Sequence, residues 1–305
     1  NDLSGQRVAL KVVSPELMKD KGVRARFLEE ARVMSRLKHP NVVQLQNFFE
    51  EGGRFFMVLE FVPGRELDDM LDERPLTADE AVSLARQVLS GLAYVHGLAN
   101  PVVHRDIKPS NILVTPENQA VIIDFGVAKA VGRQKMTKTG AAVGTYEYMS
   151  PEQVRGEDVG PASDCYAMGV VLFKMLSGVV PFRQESEGGF KVMRAHVEKV
   201  PPALSEFREG IPDWLQTLVA RSLAKTEQER FASAAEMLVA LEAGADVPSP
   251  TVNPASPTVN PVMRPEPTPP RPSPSPTTVQ SGQLSARKRA ILGGLGAALL
   301  IAFVV

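Results

Sequence analysis

The string His104-Arg105-Asp106-Ile107-Lys108-Pro109-Ser110-Asn111, followed by Asp124-Phe125-Gly126 after the apolar residues 120–123, constrains this chain more than any other feature. It puts an aspartate, a lysine and an asparagine on one loop, and a second aspartate a strand-turn-strand later. Such a set suits a metal-bound polyphosphate. Asp106 can accept a proton from an attacking hydroxyl, and Lys108 can balance charge developing on a transferred phosphoryl group. Asn111 and Asp124 offer oxygens to Mg²⁺, a hard cation that takes few protein ligands together with phosphate oxygens. Without chemistry, the same residues read as a turn after a strand, with the earlier aspartate capping a helix. Both strings in this order and at this separation make that alternative the weaker one.

Together the two strings resemble the catalytic loop and metal-binding turn of eukaryotic-type protein kinases, and Lys108, two residues after Asp106, is similar to the serine/threonine branch. Upstream, Lys11 lies in Arg7-Val8-Ala9-Leu10-Lys11-Val12-Val13, an alternating β pattern with a charge among apolar neighbours. A helical pattern follows over residues 23–37, carrying Glu29 and Glu30. Phe27, Ala31 and Met34 mark its inward face; Glu30 lies within that arc and Glu29 faces solvent. The resemblance implies that Lys11 pairs with Glu30 and that the two hold the α- and β-phosphates of ATP. Residues 55–64 read as a buried strand running into the breaker Pro63-Gly64. By resemblance Leu59 is the gatekeeper beside adenine, and the backbone of Glu60 and Val62 supplies hinge hydrogen bonds. Ala9 and Leu113 would sandwich the ring in an apolar slot.

Residues 126–152, rich in Lys, Thr and Gly, have the composition of a loop and end in Gly144-Thr145-Tyr146-Glu147-Tyr148-Met149-Ser150-Pro151-Glu152. The resemblance makes this the activation segment, with Ser-Pro-Glu in place of the usual Ala-Pro-Glu. Thr137 and Thr139 are then the candidate autophosphorylation sites, and a phosphate there could pair with Arg105. Thr145 is expected to bridge Asp106 and Lys108 and to shape the pocket for a Ser or Thr acceptor. Two further matches are structural: Asp164 as the helix-start anchor of the catalytic loop, and Arg230 as the partner of Glu152 in a buried ion pair. His104 is assigned to packing with Leu45, Met34 and Phe125 in the hydrophobic spine, rather than to acid-base work.

The expected fold is α+β and two-lobed: a kinase domain over 1–243, with a small strand-rich N-lobe (1–62) and a larger helical C-lobe (63–243). Helical periodicity supports this over 64–97, where Thr77 and Glu80 form a capping-box pattern. It returns over 161–241, with breaks at Gly178, Pro181 and Pro201-Pro202, a late helix near Trp214, and only short strands bracketing the catalytic loop. The lone Cys165 excludes an internal disulfide and reads as a small buried hydrophobe. A net charge of −1 with dispersed Lys and Arg gives no nucleic-acid footprint. Residues 244–286 are dominated by Pro, Ser and Thr and repeat Pro-Thr-Val-Asn-Pro, a composition for an extended linker or a ligand of peptide-reading modules. Arg287-Lys288-Arg289 before the apolar residues 290–305 reads as the cytoplasmic edge of a transmembrane helix, similar to bacterial membrane-anchored kinases. No Gly-x-Gly-x-x-Gly flap precedes Lys11, so the chain reads as a fragment.

The resemblance implies a serine/threonine protein kinase using ATP and Mg²⁺, acting on protein substrates at a membrane, with a kinase-domain dimer as the expected arrangement for autophosphorylation. A pseudokinase or scaffold recruiting partners through the Pro-rich segment is the competing class, and a small-molecule phosphotransferase the more distant one.

Overall fold

The computed structural model describes residues 5, 7–13, 21–125, 145–183, 189–244 and 301–302. Residues 8–60 form a strand-rich lobe from β1 (Val8–Val13), α1 (Lys21–Met34), β2 (Leu45–Glu51) and β3 (Arg54–Glu60). β2 and β3 pair as an antiparallel hairpin across Gly52-Gly53, both with positive φ (57° and 73°). That backbone twist matches the strands and is open to glycine without a Cβ penalty. β1 adds antiparallel to β3, with Ala9 opposite Leu59 and Lys11 opposite Met57. α1 buries the expected stripe, Phe27, Ala31 and Met34. It stops at Met34, short of the expected residue 37, as the chain turns and the Ser35 hydroxyl donates to the carbonyl of Arg32.

The connection after β3 runs tightly over the second lobe. A Cβ at Gly64 would sit 2.6 Å from the carbonyl oxygen of Val114, so only glycine lets the two backbones approach. A small sheet follows, β4 (Arg65–Glu66), β5 (Ile112–Val114) and β6 (Ala120–Ile122), in the order β4-β5-β6. These short strands bracket the catalytic loop as expected, with β4 before it and β5 and β6 after it.

Helices form the remainder: α2 (Leu67–Glu73), α3 (Ala78–His96), α4 (Pro151–Arg155), α5 (Pro161–Ser177), α6 (Gly189–Glu198), α7 (Asp213–Ser222) and α8 (Ala234–Ala243). Thr77 caps α3 as anticipated: its Oγ1 accepts from the Glu80 N–H (3.2 Å) and the Glu80 carboxylate accepts from the Thr77 N–H (2.8 Å). Ser150 and Gln153 repeat the device at α4. α5 is buried along almost its whole length, with Tyr166, Met168 and Phe173 among the largest fully enclosed side chains. A change such as Phe173→Ala would cost about 3–5 kcal/mol from lost transfer energy and the cavity left behind. Cys165 is buried as expected, and burial raises its thiol pKa well out of the reactive range.

Residues 245–300, which hold the Pro-rich linker and the basic cluster, lie outside the described residues. Of the apolar run 290–305, Ile301–Ala302 pair as a two-residue strand, β7, with Leu10 and Lys11 at the edge of β1. Among the described residues, no helix is long and apolar enough to cross a membrane.

Candidate active site

The loop between α3 and β5 carries the densest set of functional candidates, and it is held from behind by one carboxylate. Asp164, at the start of α5, is almost fully buried. Its Oδ2 accepts the His104 N–H at 2.7 Å and its Oδ1 the Arg105 N–H at 2.8 Å. His96 Nε2 lies 2.9 Å from the same Oδ2. Arg105 adopts a left-handed backbone (φ 66°), which costs an L-residue about 1–2 kcal/mol. The buried carboxylate offsets that strain. From the other side, Gln153 of α4 donates from Nε2 to the Arg105 carbonyl at 2.9 Å.

His104 is fully buried and packs on Phe125, ring centroids 4.7 Å apart. Its Nε2 faces the carbonyl of Ile123 at 3.1 Å, while Nδ1 accepts the Asp106 N–H at 3.3 Å. These partners assign the neutral Nε2–H tautomer, and burial lowers its pKa despite nearby Asp164. A histidine spent on both nitrogens is a brace between the loop and the β6 turn. Met34 and Leu45 are buried in the main core.

Asp106, Lys108 and Asn111 converge. Asn111 donates from Nδ2 to the Asp106 carbonyl (2.7 Å) and to its carboxylate (3.2 Å). Lys108 Nζ lies 3.5 Å from Asp106 Oδ2. The Asn111 carbonyl accepts the Ile123 N–H at 2.9 Å, which ties the loop to Asp124 one residue on. With Nδ2 committed to Asp106, the Asn111 amide oxygen is the atom left for a cation. Asp124 has φ 57°, a left-handed conformation that Asp tolerates better than most residues. Its carboxylate forms an ion pair with Lys11 of β1, joining the two lobes. This is an unanticipated partner for Lys11. Glu30 lies in α1, but its side chain is outside the described residues, so the expected Lys11–Glu30 pair is too.

The adenine-pocket candidates come from both lobes. Ala9 and Leu59 are register partners on β1 and β3, Leu59 buried and Ala9 half-buried. Val62 packs half-buried against the core, and Leu113 lies half-buried on β5. The Glu60 N–H donates to the Gln44 carbonyl at 2.9 Å, so it is committed within the lobe and Glu60 could serve a ligand only through its carbonyl.

Glu152 and Arg230 form the expected buried pair with bidentate geometry, 2.8 and 2.9 Å, and Ser163 donates to the same carboxylate. Burial pushes the Glu152 pKa up, but hydrogen bonds and charge from Arg230 outweigh it and hold the carboxyl below its usual range. Thr137 and Thr139 lie outside the described residues. Thr145 opens a 3₁₀ turn, Thr145–Tyr148, but its side chain is outside them as well. Sequence reasoning missed His96 and Gln153, whose roles depend on contacts 68 and 48 residues away.

A strand-rich lobe joined to a helical one through the Lys11–Asp124 ion pair, with Asp106 and Asn111 linked on the helical side, defines a kinase-like fold. The chain belongs to the protein kinase domain family, whose model matches residues 1–240. Serine/threonine-protein kinase PknH of Mycobacterium tuberculosis is 38% identical over 234 residues, covering 76% of this chain and 37% of that protein. PknD of the same organism is 39% identical over 235 residues, 76% of this chain and 35% of that protein. The chain thus spans well under half the length of these relatives. The PknI kinase domain of M. tuberculosis superimposes with a TM-score of 0.60 at 27% identity, covering 78% of this chain and 85% of that domain.

Proposed function

We propose that this chain is the kinase portion of a serine/threonine protein kinase that transfers the γ-phosphoryl group of ATP to Ser or Thr hydroxyls of proteins. The observation that carries this reading is the linkage of Asp106, Asn111 and Asp124 through the Asn111 side chain and the Ile123 N–H to Asn111 carbonyl bond. It brings a proton acceptor within one loop's width of two oxygen donors.

In this reading Asp106 orients the acceptor hydroxyl and receives its proton, and Lys108 balances charge on the departing phosphoryl group. Lys11 turns from Asp124 to the α- and β-phosphates when nucleotide binds. Ala9, Leu59, Val62 and Leu113 enclose adenine. The donors fit Mg²⁺: one carboxylate and one amide oxygen are hard ligands, and Asp124 already sits beside a cationic group, Lys11. Bound there, Mg²⁺ would neutralise charge on the β- and γ-phosphates.

Arg105 supports a regulatory reading for Thr137 and Thr139. Among the described residues its Nε is buried without a hydrogen-bond partner, an arrangement that a loop phosphate would satisfy. The basic cluster before residues 290–305 supports a membrane anchor, and the relatives' names support a bacterial serine/threonine kinase.

The test is incubation with Mg-ATP and dephosphorylated casein, followed by phosphosite mapping beside an Asp106→Asn control. Phosphoserine or phosphothreonine in the parent reaction alone is expected. Absence of phosphate from both chain and casein would sink the reading.

A further inference from the structure

The turn Thr145–Tyr148 rests on an apolar cluster separate from the main core. Phe182, Val192 and Ala195 are buried together, and Tyr146 packs against them. Its ring lies directly over Gly189, the first residue of α6. A Cβ at Gly189 would fall inside the van der Waals radii of ring atoms Cδ2 and Cε2, and 2.9 Å from Cγ. Because Cγ is also within contact, a flip about the Cβ–Cγ bond cannot clear that space. Any other residue at 189 must move the Tyr146 ring off the cluster on which the turn rests.

The other end of α6 is fixed. His196 is fully buried, its Nδ1 lies 2.8 Å from the Tyr166 hydroxyl of α5, and Phe182 meets its ring edge-on. Lys225, between α7 and α8, donates to the His196 carbonyl at 2.9 Å. α6 is therefore a strut, tied to α5 at its C-terminus and carrying Tyr146 at its N-terminus. The turn it carries leads into α4, whose Gln153 holds the Arg105 carbonyl beside Asp106.

We propose that the Tyr146–Gly189 contact sets the position of the turn that faces the protein acceptor, which makes Gly189 a positioning residue for the acceptor and not for ATP. This rests on the kinase reading above. A bulkier residue at 189 lifts the turn away from the strut, so the acceptor hydroxyl is presented less well to Asp106 while nucleotide binding is unchanged.

The experiment is a double-mutant cycle in the full chain, with initial rates of transfer to dephosphorylated casein. Gly189→Ala is expected to raise KM for casein about fivefold or more and to leave KM for ATP unchanged. Alanine favours helix over glycine, so a helix defect does not account for such a loss. Tyr146→Ala removes the ring, and Gly189→Ala should then add nothing further. If Gly189→Ala alone fails to fold, Tyr146→Ala must restore folding. Additive effects in the cycle, equal changes in both KM values, or failure of that rescue would overturn the inference while leaving the kinase reading intact. An inactive parent would overturn both.

Discussion

Asp164 and Arg105 are 59 residues apart in sequence, yet the Arg105 N–H donates to Asp164 Oδ1 at 2.8 Å inside the helical lobe. The same carboxylate takes the His104 N–H and faces His96. One buried anion thereby holds a left-handed residue immediately before Asp106. Asp164→Asn would place an NH₂ group against a backbone donor, leaving a buried N–H unsatisfied at about 1–3 kcal/mol. The loop should relax, with kcat falling about a hundredfold and KM for ATP little changed. Steady-state kinetics with urea unfolding would check it, and a variant with parental kcat would show that the anchor does not set catalytic geometry.

Glu152 and Arg230 give the second prediction. Both are buried and the pair is bidentate, so losing either partner strands a charge in the interior. Arg230→Met should cost about 3–5 kcal/mol. Glu152→Gln combined with Arg230→Met should recover much of that, since no unpaired charge is left. Urea midpoints of the two singles and the double decide it; a double variant as unstable as the sum of the singles would contradict the argument.

Lys11 and Asp124 behave differently because their ion pair is only partly buried, with 13% and 23% of the side chains exposed. Partial solvation limits its worth to stability, to about 1 kcal/mol or less. Lys11→Met and Asp124→Asn should therefore leave the thermal midpoint within a few degrees while lowering transfer from ATP by two orders of magnitude or more. Calorimetry beside a phosphotransfer assay separates the two effects. Large unfolding shifts in either variant would mean that the pair serves mainly to hold the lobes together.

Local patterns were legible: the Thr77–Glu80 cap, the Phe27, Ala31, Met34 stripe, the strand carrying Lys11 and the two catalytic strings all have short-range signatures that the fold keeps. β2 had no such signal, since Leu45–Glu51 buries only Leu45 fully and lacks the apolar alternation of a half-buried strand. His96 reads in sequence as the polar end of an amphipathic helix; only the docking of α5 against α3 brings it to Asp164. Lys11 illustrates the same limit within the site. Its need for a carboxylate was evident, but which one it meets depends on the approach of the two lobes. The contact of Tyr146 with Gly189 was invisible for a related reason, because a glycine before a helix carries no mark of what lies over it.

The buried histidines predict a specific acid response. Burial, aided by Lys225, pushes His196 down to about 3 from an ordinary 6.5, and burial also lowers His104. The unfolded chain protonates these groups near pH 6.5, whereas the folded chain keeps His196 neutral to about pH 3. Protons thus favour the unfolded state throughout that interval, and stability must fall as pH drops from 6.5, by up to about 1.4 kcal/mol per pH unit for each such histidine. Above 6.5 this contribution is constant. Glu152, whose folded pKa is depressed, adds its own loss only below its ordinary value of 4.5. Between pH 6.5 and 5 the histidines therefore dominate. Urea unfolding at pH 7.5, 6 and 5 should show the fall in the parent, and His196→Gln, which cannot titrate, should show a slope shallower by about 1 kcal/mol per pH unit whatever its absolute stability. Parallel slopes for parent and variant would mean that His196 accepts a proton in the folded state, contrary to its enclosure by Tyr166, Phe182 and Lys225.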